Sequence, residues 1–242
     1  MKIRIKFSKH GCMKFIGHLD IMRYFQKAHI RAGLDMAYSE GFNPHQIMSF
    51  AAPLGVGLTS DGEYLDINVK STESSKVSIE KLNKVMVEGM HILEYKKLPD
   101  DAKKSMSLVS AADYYVYPKS QEHGLSNQLT EQISSFLNQD EILVTKKTKK
   151  SEKTMDIKPY IYDFSIKNYS SCQEEVENLP AYFLSLATGS ETNIKPELVL
   201  KAFYEFIGEE FQEAWFQIHR QEVYTTSDGK FVTLGSLGED IE

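Results

Sequence analysis

The sequence has few of the residues that mark secreted, membrane-spanning or metal-binding proteins. Only two of its 242 residues are cysteine, Cys12 and Cys172, and it contains no Cys-x-x-Cys pair. This excludes a disulfide framework and a cysteine-based zinc site. No apolar run approaches the roughly 18–20 residues that a membrane span needs. The first seven residues alternate charged and apolar side chains, unlike a signal peptide. We therefore expect a soluble cytoplasmic protein.

Several common catalytic signatures are missing as well. Gly55-Val-Gly57 is not followed by the Lys-Ser/Thr pair of a phosphate-binding loop, and no Gly-x-Ser-x-Gly elbow is present. His10 and Cys12, with His18 or His45, are candidate metal ligands, but no second close pair of ligands accompanies them. We expect neither a metal nor an organic cofactor.

The charge of the chain is unevenly distributed. The net charge is −6, from 28 basic and 34 acidic side chains. Residues 1–52 nevertheless carry eight basic and only three acidic side chains, together with four of the seven histidines. A basic segment in an acidic protein indicates an anionic ligand at one place, although a chance excess on a solvated face gives the same pattern.

Hydrophobic periodicity predicts the order β-α-β-β-α-β for the first hundred residues. Ile3, Ile5 and Phe7 alternate with charged residues, as in a strand, and apolar residues recur every three to four positions from His18 until Gly33 ends the helix. The predicted elements are Lys2–Phe7, His18–Ala32, Ile47–Leu54, Tyr64–Val69, Ser78–Glu88 and His91–Leu98. This order is that of the ferredoxin-like fold.

The second half repeats the pattern with additions. The predicted elements are Ala111–Tyr117, Leu125–Leu137, Glu141–Thr145, Thr154–Lys158, Tyr182–Leu186, Pro196–Ile207 and Ala214–Val223, while 168–180 fits nothing regular. We therefore predict an α+β protein of two tandem ferredoxin-like halves, the second elaborated. The expected domains are 1–100 and 105–234, followed by a frayed acidic tail at 235–242.

The densest cluster of chemically active side chains lies in the first 45 residues. His18 and Asp20 stand at a predicted helix start, where free backbone N–H groups attract anions. Arg23 follows on the same helix, and His45 follows a turn at Gly41–Pro44. Imidazole, guanidinium and free amides together fit a phosphate or acid–base site. The alternative is structural, with His18 or Asp20 capping the helix and Asn43-Pro44 forming a turn.

Longer runs of sequence around these residues resemble a known family. The runs are Met13–Arg23, Ala37–His45, Ser49–Gly55 and Gly62–Asp66, with weaker matches at Lys146–Tyr160 and Lys195–Glu197. They closely resemble the radical SAM-linked domain of unknown function. Its members are encoded beside, or fused behind, a cobalamin-binding radical SAM protein. The resemblance therefore implies such a partner, but no reaction. This chain lacks the cysteine triplet of a radical SAM iron–sulfur cluster and is not itself that enzyme.

The resemblance also implies which residues bind a ligand or partner. They are His18, Asp20, Arg23, Ser39, Gly41, Phe42, Asn43, Pro44, His45, Ser49, Glu63, Tyr64 and Asp66. The chain departs from the family pattern at Gly17, where serine is usual, and at Gln46 and Ile47, where proline and lysine are usual. The missing lysine removes a candidate phosphate contact.

A second cluster consists of six lysines within thirteen residues. They are Lys146, Lys147, Lys149, Lys150, Lys153 and Lys158, and Tyr160 and Tyr162 follow them. On a hairpin tip such lysines can neutralise nucleic-acid phosphates, and the tyrosines can stack on bases. The alternative is a solvated hairpin whose lysines only discourage aggregation.

Three functions fit these features. The first is an accessory protein of a radical SAM system that binds RNA (tRNA, rRNA or the ribosome) or the radical SAM partner. The second is an RNA-processing or phosphate-directed enzyme with His18 or His45 as acid–base and Arg23 on a phosphate, similar in outline to CRISPR repeat-processing endoribonucleases. The third is a protein–protein adaptor that does not contact RNA. The sequence leaves the oligomeric state open.

Overall fold

The structure is a computed structural model that describes residues 1–120, 122, 124–126, 128–147 and 152–242. Within these ranges the chain forms twelve β-strands and four α-helices, which confirms the α+β class. None of these helices is long and apolar enough to cross a membrane. The chain divides into two compact units, an N-terminal unit of Met1–Ser110 with Arg220–Glu242 and a C-terminal unit of Ala111–His219. The end of the chain thus belongs to the same unit as its start.

The N-terminal unit contains the predicted order of elements. In chain order they are β1 (Lys2–Lys9), α1 (His18–Arg31), β2 (Asp35–Met36), β3 (Met48–Phe50), β4 (Thr59–Ser71), α2 (Ser75–Asn83) and β5 (Met90–Lys97). Strand β1 lies between β5 and β4 and is antiparallel to both, while β2 and β3 pair with β4. The predicted strand Ile47–Leu54 shrinks to three residues, and β2 was missed because two residues are too few to show alternation.

The core of this unit follows from the alternation of apolar residues in β1 and from their recurrence every three to four residues in α1. Ile3 and Ile5 are fully buried and lie opposite Ile67 and Leu65 of β4. Helix α1 buries Phe25 and its neighbours on the same face against these strands. Each fully buried side chain of this size stabilises the fold by about 1.5–3 kcal/mol. The helix ends before Gly33, whose φ of 72° suits glycine, as the sequence predicted.

The C-terminal unit contains a sheet, a separate hairpin and two helices. Its elements are β6 (Val109–Pro118), α3 (Leu129–Leu137), β7 (Leu143–Lys147), β8 (Glu152–Asp156), β9 (Ile161–Ser171), β10 (Val176–Ala187), α4 (Pro196–Phe206) and the start of β11 (Phe216–Ser227). In the sheet, β10 lies between β9 and β6, and β11 follows β6. Strands β7 and β8 pair only with each other within the described residues.

The prediction that 168–180 is irregular was wrong. These residues form the end of β9, a turn and the start of β10. The register slips between Val176 and Leu179, and Glu175 and Asn178 adopt positive φ values of 53° and 52°. Because such a bulge inserts unpaired residues, it interrupts the alternation by which a strand is recognised in a sequence.

The expected frayed tail is also corrected by the structure. After β12 (Lys230–Thr233), a short 3-10 helix at Leu234–Leu237 leads into the last residues. Glu239 forms a backbone bridge with Lys97 of β5. Backbone N–H of Ser75 donates to the carbonyl of Ile241 at 2.9 Å, and N–H of Ile241 donates to Ser75 Oγ at 2.8 Å. The small, acidic composition of this segment gave no sign of these partners.

Candidate functional site

Residues 37–47, here called the motif loop, connect β2 to β3 and are closed at their base. Tyr38 and Gln46 form a backbone bridge, and N–H of Ile47 donates to the carbonyl of Ala37 at 3.0 Å. Near the tip, Gly41 adopts a φ of 108°, a backbone conformation that residues with a Cβ rarely adopt. The loop is therefore a closed turn built around one glycine.

A serine and a histidine fasten the two arms of the motif loop above this base. N–H of Ser39 donates to the carbonyl of His45 at 2.8 Å. N–H of His45 donates to Ser39 Oγ at 3.1 Å, and the same hydroxyl lies 2.9 Å from His45 Nδ1. Ser39 and His45 thus shape the loop, while the side chain of Phe42 between them is fully exposed. Asn43 and Pro44 are exposed as well.

The loop is anchored to α1 through Gln46. The Gln46 Nε2 amide donates to the backbone carbonyl of Gln26 at 3.0 Å, and Gln46 Oε1 lies 2.9 Å from His29 Nδ1. Both Gln46 and His29 are buried. Gln46 is one of the positions where the chain departs from the family pattern, so here the loop has a side-chain anchor. Sequence reasoning missed His29, whose one signal was its position four residues after the core residue Phe25.

The start of α1 presents polar motif residues to solvent. Arg23 Nη1 lies 3.3 Å from Asp20 Oδ1, and both side chains are about two-thirds exposed, at 68% and 65%. Such a pair is worth at most about 1 kcal/mol, so Arg23 can exchange this partner for another. The ring of His18 packs edge-on against Phe50 with centroids 5.0 Å apart.

Apolar side chains are exposed beside this helix start. Phe15 and Leu19 flank the first residues of α1, and Val56 lies in a turn whose Gly57 N–H donates to the carbonyl of Lys14 at 2.8 Å. Phe15, Leu19 and Val56 are 64%, 63% and 60% exposed. We call these three residues the apolar patch. Large exposed apolar side chains that cluster in this way are typical of interaction sites.

The motif residues of β4 have different surroundings, because they bind residues of the neighbouring strands β11 and β1. Glu63 receives two hydrogen bonds from the guanidinium of Arg220, whose Nε lies 2.8 Å from Glu63 Oε1. Arg220 also donates to the carbonyl of Ala52, in the motif run that follows β3. The Arg220 and Glu63 side chains are each 5% exposed. Such a two-pronged, buried ion pair fixes β4, β11 and the 51–55 segment together.

Tyr64 and Asp66 are likewise paired inside the N-terminal unit. Tyr64 donates to Glu222 Oε1 at 2.8 Å, and Lys6 Nζ lies 2.5 Å from Glu222 Oε2. Burial, and then the negative charge of Glu222, raises the pKa of Tyr64 far above its usual value, so this phenol stays protonated. Asp66 accepts two hydrogen bonds from the buried Arg4, at 2.7 and 3.0 Å.

The predicted site residues therefore form two groups. The residues of the motif loop and the start of α1 are His18, Asp20, Arg23, Ser39, Gly41, Phe42, Asn43, Pro44 and His45. On β4, Glu63 and Asp66 form ion pairs and Tyr64 donates a hydrogen bond to Glu222. Ser49 lies between the groups, opposite Asp66 in the register of β3 and β4. Arg4, Arg220 and Glu222 were not singled out. The sequence carries no clear signal for Arg220 and Glu222, because the strand at 216–223 is mostly polar and only Phe216, Ile218 and Val223 are apolar.

The candidate catalytic residues have separate partners. His18 contacts Phe50, Arg23 pairs with Asp20, and His45 bonds to Ser39. Among the residues that the structure describes, no group of three or more His, Cys, Asp or Glu side chains is placed to hold a metal ion.

The predicted lysine-rich hairpin is present as β7 and β8. Its register places Lys146 opposite Lys153 and Lys147 opposite Glu152. Lys149 and Lys150 lie outside the described residues. Lys158 is not on the hairpin but in a 3-10 helix, Lys158–Tyr160, from which its Nζ donates to the carbonyl of Gln139 after α3. Lys158 therefore links this 3-10 helix to the segment after α3 and does not extend the hairpin.

The model of a protein family matches most of the chain. The model of a family described as "Uncharacterized protein conserved in bacteria (DUF2344)" matches residues 2–196. The chain belongs to the DUF2344 family. The matched part includes the motif loop, the apolar patch and β4, and ends before β11, which carries Arg220 and Glu222. No protein of curated function matches the chain.

Proposed function

We propose that this DUF2344 protein is an accessory factor that binds a protein partner through its N-terminal unit. The binding surface consists of the motif loop, the exposed start of α1 and the apolar patch. Because this chain resembles radical SAM-linked domains, the partner that we propose is a cobalamin-binding radical SAM protein. The observation that carries this proposal is the fully exposed Phe42 on a loop that is fastened at its base.

An exposed phenylalanine on a closed loop has the properties of a binding anchor. Aromatic side chains that enter a pocket of the partner dominate the binding energy of many interfaces. The hydrogen bonds between Ser39 and His45 and the anchoring of Gln46 keep the loop in shape before binding. Less conformational entropy is then lost when the complex forms, which favours affinity.

The exposed apolar side chains near the start of α1 favour a protein over a nucleic acid as the partner of this unit. Phe15, Leu19 and Val56 are exposed near the start of α1, and two of these three are aliphatic. Aliphatic side chains cannot stack on bases as aromatic ones do. Arg23 is exposed as well, and arginine, like the aromatic residues, is enriched in protein–protein interfaces.

The proposal is tested by titrating the 242-residue protein with a purified cobalamin-binding radical SAM protein from the same organism. Phe42→Ser should weaken binding by about tenfold or more, which corresponds to roughly 1.4 kcal/mol. The matched control is Met106→Ser, since Met106 is an exposed apolar residue of the same unit, 52% exposed, outside the proposed surface. Equal affinities for wild type and Phe42→Ser, or no complex at all, would refute the proposal.

A second function, RNA binding by the β7–β8 hairpin, is supported by the hairpin register. Lys146 and Lys153 occupy directly opposite positions. Like charges at such positions destabilise an isolated hairpin, and a polyanion would offset this repulsion. Lysines along a hairpin can each neutralise a phosphate and release counterions.

Fluorescence anisotropy with bulk tRNA and rRNA fragments tests this second function. Binding should fall log-linearly with salt concentration and weaken in a Lys149→Glu/Lys150→Glu variant. Lys103→Glu/Lys104→Glu is the matched control, because it makes the same charge change at adjacent exposed lysines in the other unit. If both variants lose the same affinity, or if no RNA binds at low salt, the hairpin is not an RNA site.

For the fold, we propose that both units are built on the ferredoxin-like plan. The strand order β5-β1-β4 with β3 beside β4, and the order β11-β6-β10-β9, support this proposal because both correspond to the ferredoxin-like order 4-1-3-2. The β7–β8 hairpin would then be the elaboration of the second half.

A further inference from the structure

The anchor of the motif loop contains a buried histidine whose tautomer is fixed by its neighbour. Gln46 Nε2 donates to the carbonyl of Gln26, so the other end of the amide, Oε1, faces His29 Nδ1 at 2.9 Å. An amide oxygen can only accept a hydrogen bond, and therefore His29 Nδ1 must carry the hydrogen. The lone pair of neutral His29 is thus on Nε2.

This Nε2 atom is in an environment that does not tolerate a proton. His29 has no exposed surface, and within the described part of the chain its Nε2 has no hydrogen-bond partner. The ring of Phe25 lies beside the imidazole, with centroids 5.9 Å apart. A proton on Nε2 would create a buried charge with an unsatisfied N–H, which is far more costly than the neutral ring.

Among the described residues, no charged side chain is paired with His29 to compensate for such a charge. The charged or titratable groups on the elements around it are Asp35 on β2, His18, Asp20, Arg23, Tyr24, Lys27 and Arg31 on α1, and Tyr38, Glu40 and His45 in the motif loop. None of them is hydrogen-bonded to the imidazole in the described chain; Asp35 binds Ser71, and His45 binds Ser39. Burial lowers the pKa of His29, and the hydrogen bond with Gln46 offsets this only in part.

We propose that His29 and Gln46 form a pH-sensitive latch that holds the motif loop closed at neutral pH and releases it on acidification. Because the pKa of His29 is lowered in the folded protein, the latch is fully stable above the ordinary histidine pKa of 6.5. Its stability is lost as the pH falls below that value towards the folded pKa. The release detaches Gln46, and with it the arm of the loop that carries His45.

The consequence for binding rests on the proposed function. A released loop no longer presents Phe42 in a fixed position, so partner affinity should fall on acidification. Protonation is needed only at Nε2 of this one histidine. The latch would make the accessory protein a pH-dependent binder without any change in its core sheet.

Nitrogen-detected NMR of the histidine rings tests the tautomer directly. At about pH 7.5, His29 should be the Nδ1–H tautomer, and it should titrate below the ordinary histidine pKa of about 6.5. An Nε2–H tautomer, or titration at or above that value, would overturn the proposal.

Hydrogen–deuterium exchange of residues 37–47 at about pH 7.5 and about pH 5.5, corrected for intrinsic exchange rates, tests the release. Protection of the loop should fall several-fold at the lower pH, while β1 stays protected. His29→Asn removes the titratable ring, while its side-chain amide can still donate to Gln46 Oε1, so the acid-induced loss should be abolished. His91→Gln, which changes an exposed histidine on β5, should leave the loss unchanged. Acid sensitivity that persists in His29→Asn would refute the latch.

The latch and the proposed function can fail separately. If exchange is independent of pH while Phe42→Ser still loses the partner, the function stands and the latch fails. If exchange responds as expected while Phe42→Ser binds like wild type, the latch stands and the binding surface lies elsewhere.

Discussion

The motif residues of β4 and those of the motif loop lie in the same unit but have opposite surroundings. Glu63 and Asp66 are satisfied by arginines within the fold, at 2.8 and 2.7 Å. Phe42 is fully exposed, and Arg23 pairs with the exposed Asp20. Ser49 lies opposite Asp66, so the two regions meet in the register of β3 and β4. The comparison shows that one sequence motif can combine residues that hold the fold with residues that are available to a partner.

The buried and the exposed motif residues should also differ in how much they contribute to the stability of the fold. Removing one partner of a buried pair leaves an uncompensated charge, whereas removing an exposed side chain changes stability little. Variants in the two groups of motif residues should therefore differ clearly in the free energy of unfolding of the 242-residue protein.

The largest effect is expected for the buried pair of Arg220 and Glu63. Arg220→Ala should lower the free energy of unfolding by about 3–5 kcal/mol, because Glu63 is left buried without a counter-charge. Urea unfolding followed by circular dichroism measures the change. The double variant Arg220→Met/Glu63→Met should regain most of the loss. If Arg220→Ala unfolds like wild type, the pair is not structural and the comparison fails.

The next effect concerns the close approach of two backbones at Gly62. A Cβ at this position would lie 2.5 Å from Glu222 Cα, so β4 and β11 would have to separate. Gly62→Ala should cost about 1–3 kcal/mol, as expected of overpacking. Gly55→Ala is the control, because its Cβ would meet only Leu58 Cδ1 at an ordinary 3.6 Å. The midpoints of thermal unfolding of the two variants should differ clearly.

A smaller effect is expected for the phenol of Tyr64. Tyr64→Phe removes the hydrogen bond to Glu222 but leaves Lys6 beside that carboxylate. The loss should be about 1–2 kcal/mol, typical of one hydrogen bond to a charged acceptor. Since the pKa of Tyr64 is raised, the wild type should show no ionisation of this residue in an ultraviolet titration up to about pH 11. A phenol that titrates near the ordinary tyrosine value would show that this network is open to solvent.

The smallest effect on stability is expected in the exposed group. Arg23→Ala breaks a pair with two exposed partners, and the unfolding free energy should change by less than about 1 kcal/mol. Phe42→Ser should change it by less than about 0.5 kcal/mol. Either variant should nevertheless weaken partner binding. A large loss of stability in Phe42→Ser would show that the motif loop is part of the fold and not a free surface.

The sequence alone determined the local elements of this protein. The alternation in β1, the helical spacing after His18 and the stop at Gly33 depend on near neighbours, and so do the short motifs that indicate the family. The hairpin of β7 and β8 also depends on residues close together in the sequence, and it was predicted, although its register was not. Where a bulge broke the alternation between β9 and β10, the start of β10 was missed, although its later part at Tyr182–Leu186 was predicted.

Only the tertiary structure decided which motif residues are buried and which are exposed. Glu63 and Tyr64 meet Arg220 and Glu222 across 157 and 158 positions of the chain. The anchor of the motif loop likewise depends on a contact between a helix and the loop, through His29 and Gln46. No periodicity encodes such pairings, because they arise when distant strands and helices pack together. A carboxylate in a motif is the same residue in the sequence whether it faces an arginine of its own fold or the surface of another molecule.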